Sequence, residues 1–372
     1  MKAGTAGNRP KAWENRAHSP ETLARARRIG LRNILVAVGG LAALFGLNFL
    51  IESFMSPYIA RVLILSGISV VLAISLNLIN GYTGQFSLGH AGFMAIGAYV
   101  SAALSYYHGN MRHPDHADVM TFLVSTLHIP ENIAAIIFFA GIAYIGGVVA
   151  SIAGLIVGVP TLRLKGDYLA IVTLGFGEII RVILINTKVV GGALGLNDIP
   201  GTGAEHSVFE NPFIWVAATA IVTIIVTRNM VESTRGRAFL AVRDDEVAAE
   251  SVGISTTRYK VTAFVVSAFF AGVAGALTAH YDSYLNPETF NFVRSIEVVV
   301  MVVLGGMGSL TGITVAAVLL TIMPEVLRAS GALRMVIYSL LLIILMLTRP
   351  QGLMGHRTLK PRRRPAAKVA SS

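Results

Sequence analysis

Four places in this sequence gather residues that could do chemistry. One is Gly81-Tyr-Thr-Gly-Gln-Phe-Ser-Leu-Gly-His90, where Tyr82, Thr83, Gln85, Ser87 and His90 alternate with glycine. Hydroxyls, an amide and an imidazole in that pattern suit hydrogen bonding to a polar or zwitterionic solute. A second is Leu304-Gly-Gly-Met-Gly-Ser-Leu-Thr-Gly312, where Gly305, Gly306 and Ser309 offer backbone groups and a hydroxyl. The third is Glu178 with Arg181, three apart and so able to pair on one face of a helix. The fourth runs Arg243-Asp-Asp-Glu-Val-Ala-Ala-Glu-Ser-Val-Gly253. None of the four contains a nucleophile–base pair. His90 and His280 have no second ligand at metal-site spacing and read as packing or interface residues. No catalytic residue, metal site or cofactor is expected in this chain.

The elements that hold these residues follow from composition. Hydrophobic residues make up 54% of the 372 and charged residues only 13%, with a mean hydropathy of +0.67. A soluble chain carries about 25% charge, so soluble enzymes, disordered chains and collagens are excluded. The absence of cysteine removes disulfide frameworks, Cys-ligated zinc and thiol nucleophiles. The fold class is therefore all-α, a polytopic bundle of membrane helices. The net charge of +10 is clustered rather than spread. Eight Lys and Arg precede the first apolar run, seven follow the last, and six lie between Arg228 and Lys260. That clustering is the positive-inside pattern, with the lipid bilayer as partner and nucleic acid excluded.

Apolar runs occur near 33–51, 60–79, 91–107, 132–158, 168–187, 212–227, 261–280, 297–327 and 335–348. The first 30 or so residues lack the apolar core of a cleaved signal peptide. Runs 212–227 and 335–348 are short, and a lone helix of either would need tilt or local thinning. Segments 108–131, 188–211 and 281–296 carry few Lys or Arg and are placed outside. Both termini, 159–167 (with Arg163 and Lys165) and 228–260 are placed in the cytoplasm. Run 297–327, at 31 residues, would extend about 46 Å as one helix, too long for a core of about 30 Å. Its glycines divide it into two half-helices or short spans. The expectation is eight full crossings, or ten if both arms cross. The chain then divides into a basic N-terminal segment (1–32), a permease region (33–348) with a cytoplasmic loop (228–260), and a basic tail (349–372).

Glycine breaks at membrane depth are tolerated where the freed backbone is buried in protein or lines a watery cavity. Helix ends at such breaks can guide a zwitterion. Equally, glycine lets helices approach closely while Ser and Thr bond across the contact. Both readings stand for each break. Glu178 and Arg181 lie within a span, where ionisable residues point to function by default, but Arg181 can also snorkel and the pair can fix packing. Neither break is a P-loop, because no Lys-Ser or Lys-Thr follows the glycines. In the loop, Asp244 or Asp245 can cap a short helix, Glu246 adds an acid to its first turn, and Gly253 suits the position past its end. Such a helix at the membrane surface could connect two spans or enter a groove on a partner.

Ala248-Ala249 with Gly253 four residues on resembles the cytoplasmic EAA loop of ABC-transporter permeases, although Val247 stands where that motif has glutamate and Glu246 precedes it. Gly81 through Phe93 resembles the hallmark of branched-chain amino acid (Liv-type) permeases. So do Pro160-Thr-Leu-Arg-Leu-Lys-Gly-Asp-Tyr168 leading to Glu178, Ser295-Ile-Glu through Gly312, and Arg349-Pro-Gln-Gly-Leu353. These motifs cover about 60–355 in family order, closest to the LivM-like branch. The resemblance implies a bacterial inner-membrane importer of two permeases, two ATPases (LivG- and LivF-like) and a periplasmic substrate-binding protein. The second permease would be LivH-like, and ATP and Mg would act on the ATPases. Candidate pathway residues are then Tyr82, Thr83, Gln85, Ser87, His90, Glu178, Gly305, Gly306 and Ser309. Candidate ATPase-coupling residues are Arg243, Asp244, Asp245, Glu246, Ala248, Ala249 and Gly253. Leu, Ile and Val are the implied cargo; related permeases take urea, short amides or aromatic acids. The alternatives from other classes are an ion-coupled secondary transporter using Glu178 and a membrane-embedded enzyme.

Overall fold

Apolar sequence with no water-facing counterpart folds here into helices bounded by glycine, proline and side-chain caps. The computed structural model describes residues 56–108, 130–161, 166–201, 211–331, 333–348 and 352–353. The expected first span 33–51, the basic segment 1–32 and the tail beyond 353 lie outside the described residues, as does the 162–165 connection carrying Arg163 and Lys165. The described helices belong to one structural unit, Pro57–Ser372. They are α1 (Pro57–Asn77), prolonged by a π-helical turn Leu78–Tyr82, α2 (His90–His108), α3 (Glu131–Thr161) and α4 (Asp167–Asn186). Next come α5 (Pro212–Glu232), α6 (Thr234–Asp244), α7 (Glu246–Ser251) and α8 (Thr256–Asp282). The last are α9 (Phe292–Gly305), α10 (Leu310–Val326) and α11 (Leu333–Thr348). Extended pairing among the described residues is a single antiparallel bridge, Leu196 to Leu285.

Among the described residues five helices are long and apolar enough to cross a membrane: α1 with its π turn, α3, α4, α5 and α8. Run 212–227 proves longer than its hydropathy suggests. The helix continues to Glu232, giving 21 residues, and Arg228 Nε pairs with Glu232 Oε1 at 2.8 Å across its last turn. No thinning is needed for a helix of about 31 Å.

The core is centred on α8, which packs against α1, α2 and α3. Lipid supplies no hydrophobic drive for helix association, so close approach by small residues carries it. Gly97 on α2, Gly146 and Gly147 on α3, and Gly272 and Gly275 on α8 form that contact. A Cβ added at Gly97 would lie 2.1 Å from the Gly272 carbonyl oxygen, and one at Gly275 would lie 2.0 Å from the Met94 carbonyl oxygen. Buried hydroxyls cross-link the same helices. Ser267 Oγ donates to the Ser75 carbonyl at 2.6 Å.

The long run 297–327 divides at its glycines. Helix α9 ends at Gly305, Gly306 (φ 95°) and Gly308 (φ 87°) turn the chain, and α10 starts at Leu310. The second arm runs antiparallel to α1 along its whole length. Asn77 Oδ1 accepts from the Gly308 N–H at 2.8 Å at one end, and Tyr58 Oη donates to Glu325 Oε2 at the other. Ser309 caps α10, its hydroxyl accepting from the Gly312 N–H at 3.2 Å. Ser309→Ala should cost about 1 kcal/mol of stability, read as a small drop in thermal midpoint in detergent. Uptake that falls further than stability does would show instead that the hydroxyl meets solute.

Candidate functional site

The first glycine stretch leaves helical geometry after Tyr82 and does not resume it until His90. The π turn that precedes it is a conformation frequent at functional positions. Tyr82, Thr83, Gln85, Ser87 and His90 are all buried, although Gly84 and Phe86 between them are exposed. Two of the five are committed locally: Thr83 Oγ1 donates to the Ile79 carbonyl at 2.8 Å, and His90 Nε2 lies 2.9 Å from Ser75 Oγ. Four polar atoms at residues 80–90, Asn80 Nδ2, Gln85 Oε1, Ser87 Oγ and His90 Nδ1, are buried without a protein partner. Buried polar groups are otherwise nearly always paired. Unpaired donors and acceptors gathered at one backbone break suit water or a polar solute.

The second break lies directly against the first. A Cβ at Gly81 would come 2.5 Å from the Gly308 nitrogen. Gly305 is the crossing point of α9 and α10, its would-be Cβ only 2.4 Å from the Ile313 Cα. Gly306 is covered by Gly352, and the Leu353 N–H donates to the Leu304 carbonyl at 2.8 Å. Close packing thus accounts for Gly305 and Gly306, and capping for Ser309.

Glu178 and Arg181 pair as their spacing predicts, Nε to Oε2 at 2.7 Å. The structure adds two partners that spacing could not reveal. Arg181 Nη1 reaches Glu288 Oε1 at 2.7 Å, and the Phe292 N–H at the start of α9 donates to Glu178 Oε1 at 3.1 Å. A carboxylate at a helix N-terminus is favoured by the helix dipole. The triad carries one positive and two negative charges, on a helix whose neighbouring side chains Ile179, Val182 and Ile183 are exposed. Arg181→Met leaves both carboxylates without a cation and should cost about 1–2 kcal/mol, the partial exposure of the group keeping it below a fully buried pair. Thermal unfolding of Arg181→Met, Glu178→Met and the double variant checks this; the double variant should recover part of the loss.

The cytoplasmic-loop candidates fall on two helices rather than one. Asp245 is the cap of α7, its Oδ1 accepting from the Val247 and Ala248 N–H groups at 2.9 and 3.1 Å. Gly253 adopts φ 83° just past the end. Asp244 is the last residue of α6, a helix the composition of the loop did not reveal. It is anchored by buried Phe239 and Val242, with Phe239 edge-on to Tyr259. Glu246 turns back to accept from buried Lys260 at 2.6 Å, and Ala249 is buried. Glu250 Oε1 accepts from the Thr256 hydroxyl at 2.6 Å, whereas Ala248 faces outward, as do Val247 and Val252, which are 67% and 74% exposed. Those two valines were passed over in the sequence because the acids and alanines carried the motif. Their signal was an apolar pair on a helix too short to hide it. Arg243 points inward, toward Gly81.

The family described as branched-chain amino acid transport system / permease component matches residues 58–347. The chain is 37% identical over 331 residues to the high-affinity branched-chain amino acid transport system permease protein LivM of Salmonella typhimurium, covering 82% of this chain and 70% of that one. It is 37% identical to LivM of Escherichia coli over 317 residues, 78% of this chain and 68% of the relative. LivH of Escherichia coli is 31% identical over 145 residues, 38% of this chain and 46% of LivH. No solved structure gives a significant match. A multi-pass helical architecture, the paired glycine breaks and a match across most of its length agree: this chain belongs to the family of branched-chain amino acid transport permeases.

Proposed function

We propose that this chain is the LivM-like permease subunit of an ATP-driven importer for Leu, Ile and Val in the bacterial inner membrane. It forms half of the translocation pathway beside a LivH-like permease. ATP and Mg act on two partner ATPases, LivG- and LivF-like, and a periplasmic binding protein delivers the solute. The carrying observation is α7, a six-residue helix with an acidic N-cap that buries one side chain, Ala249, and exposes Val247, with Val252 exposed just past its end. So short a helix with an apolar outer face suits a groove on another protein. With both termini in the cytoplasm, α6 and α7 face the ATPases, and alternating access follows from rigid-body movement of packed helices. Selectivity belongs chiefly to the binding protein, so a different delivery protein would give urea, short amides or aromatic acids as cargo.

A secondary transporter would need Glu178 to exchange protons. Its two oxygens are held by Arg181 and by the Phe292 N–H, which argues against that role. The deciding experiment is reconstitution of the chain with its second permease, both ATPases and the binding protein. Uptake of radiolabelled leucine should require ATP and the binding protein. Proton-driven uptake by this chain alone would overturn the reading.

A further inference from the structure

Arg243 is the penultimate residue of the anchored helix α6, two residues before the cap of α7. Its Nε and Nη2 hold Asp244 Oδ1 at 3.1 and 3.0 Å, while Nη1 donates to the Gly81 carbonyl at 3.3 Å. The contact joins residues 162 apart in sequence. The aliphatic stem of Arg243 lies on Gly84, where a Cβ would be 2.8 Å from its Cγ, and where φ is 69°. On the other side, a Cβ at Gly308 would touch Arg243 Nη1 at 3.6 Å. Asn77 completes the joint by accepting from the Gly308 N–H. One guanidinium thus meets both glycine breaks and the connection into α7.

We propose that Arg243 is a positioning residue, the strut through which displacement of α7 reaches the two glycine breaks. The proposal rests on the importer reading above. Three features suit the task. The guanidinium is a planar fork that can hold two acceptors in fixed relation. Helix α6 is anchored in the bundle by Phe239 and Val242, and the Asp245 N–H donates to the Ala241 carbonyl at 3.1 Å, which ties the α7 cap to the end of α6. At Gly84 the stem leaves no room for a side chain, and at Gly308 the φ of 87° disfavours one.

The chain contains no cysteine, so Met307→Cys, exposed in the second break, provides the sole thiol on this subunit. The experiment uses the whole complex in nanodiscs. Labelling of this subunit by a water-soluble maleimide is compared between the nucleotide-free and ATP–vanadate-trapped states, alongside ATP hydrolysis. With Arg243 present, trapping should change the labelling rate at least about five-fold. In Arg243→Ala that change should fall below about two-fold. Arg243→Lys should restore at least half of the change, because an ammonium can still donate to Gly81.

A five-fold response retained in Arg243→Ala overturns the strut. So does a parent complex whose labelling does not respond to nucleotide. So too does loss of assembly, hydrolysis and response in proportion for both variants, which would mark a structural residue. If the parent chain fails to assemble with the ATPases at all, the importer reading falls first and the strut falls with it.

Discussion

Gly272→Leu should abolish accumulation of folded protein, while Gly141→Leu accumulates like the parent. Both glycines belong to long apolar helices, and hydropathy treats the substitutions alike. Their surroundings differ. A Cβ at Gly272 would lie 2.6 Å from the Ala150 Cβ, 2.9 Å from the Gly146 carbonyl oxygen and 3.0 Å from the Gly147 Cα. Two of those three are backbone atoms of α3, which cannot rotate away as a side chain can. Accommodation therefore needs α3 and α8 to separate, and the Gly97 contact on α2 opens with them. Overpacking of a core costs about 1–3 kcal/mol even where neighbours can shift, and here the cost should reach about 3 kcal/mol or more. Against a typical total of about 5–15 kcal/mol, that is a large share. A Cβ at Gly141 meets nothing within 4 Å, and Gly141→Ala should gain up to about 1 kcal/mol from helix propensity. Expression level and thermal midpoint in detergent measure both. A Gly272→Leu protein as stable as the parent would show that the three-helix contact is not a principal source of stability.

Val247→Asp combined with Val252→Asp should leave the bundle intact and weaken ATPase association by at least about 30-fold, taking uptake with it. Each valine is largely exposed on α7 or just past its end, so folding gains little from either. If a groove on the ATPase receives them, each buried valine contributes about 1.5–3 kcal/mol to that contact, and a buried carboxylate without a partner adds a further cost. A cost of about 2 kcal/mol is already a factor of about 30. Association is measured by co-purification and by equilibrium binding of the ATPases to the permease pair. Unchanged thermal stability distinguishes lost docking from misfolding. If the double variant binds ATPase as the parent does, α7 is only a connector.

Hydropathy alone located nine apolar runs, and each one that lies within the described residues is helical. The division of 297–327 was legible because 31 apolar residues exceed the membrane's thickness and four glycines fall inside them. The Asp245 cap, the Gly253 end and the Glu178–Arg181 pair were legible for a related reason: each depends on residues within one helical turn. By contrast α6 could not be read from its loop, since its polar composition hides the Phe239 and Val242 that anchor it.

Spans, caps and breaks are local outcomes of apolar length and of glycine's missing side chain, and the sequence by itself determines them. Tertiary structure alone decided that Arg243 reaches Gly81, that Glu246 is taken by Lys260, and that Glu288 and the Phe292 N–H complete the Glu178–Arg181 cluster. These pairs lie between 14 and 162 residues apart. Which polar groups meet across such separations depends on how the helices cross. In a membrane, crossing is set by close backbone contact at positions such as Gly97 and Gly272, and no pattern along one helix reveals which glycine on another it will meet.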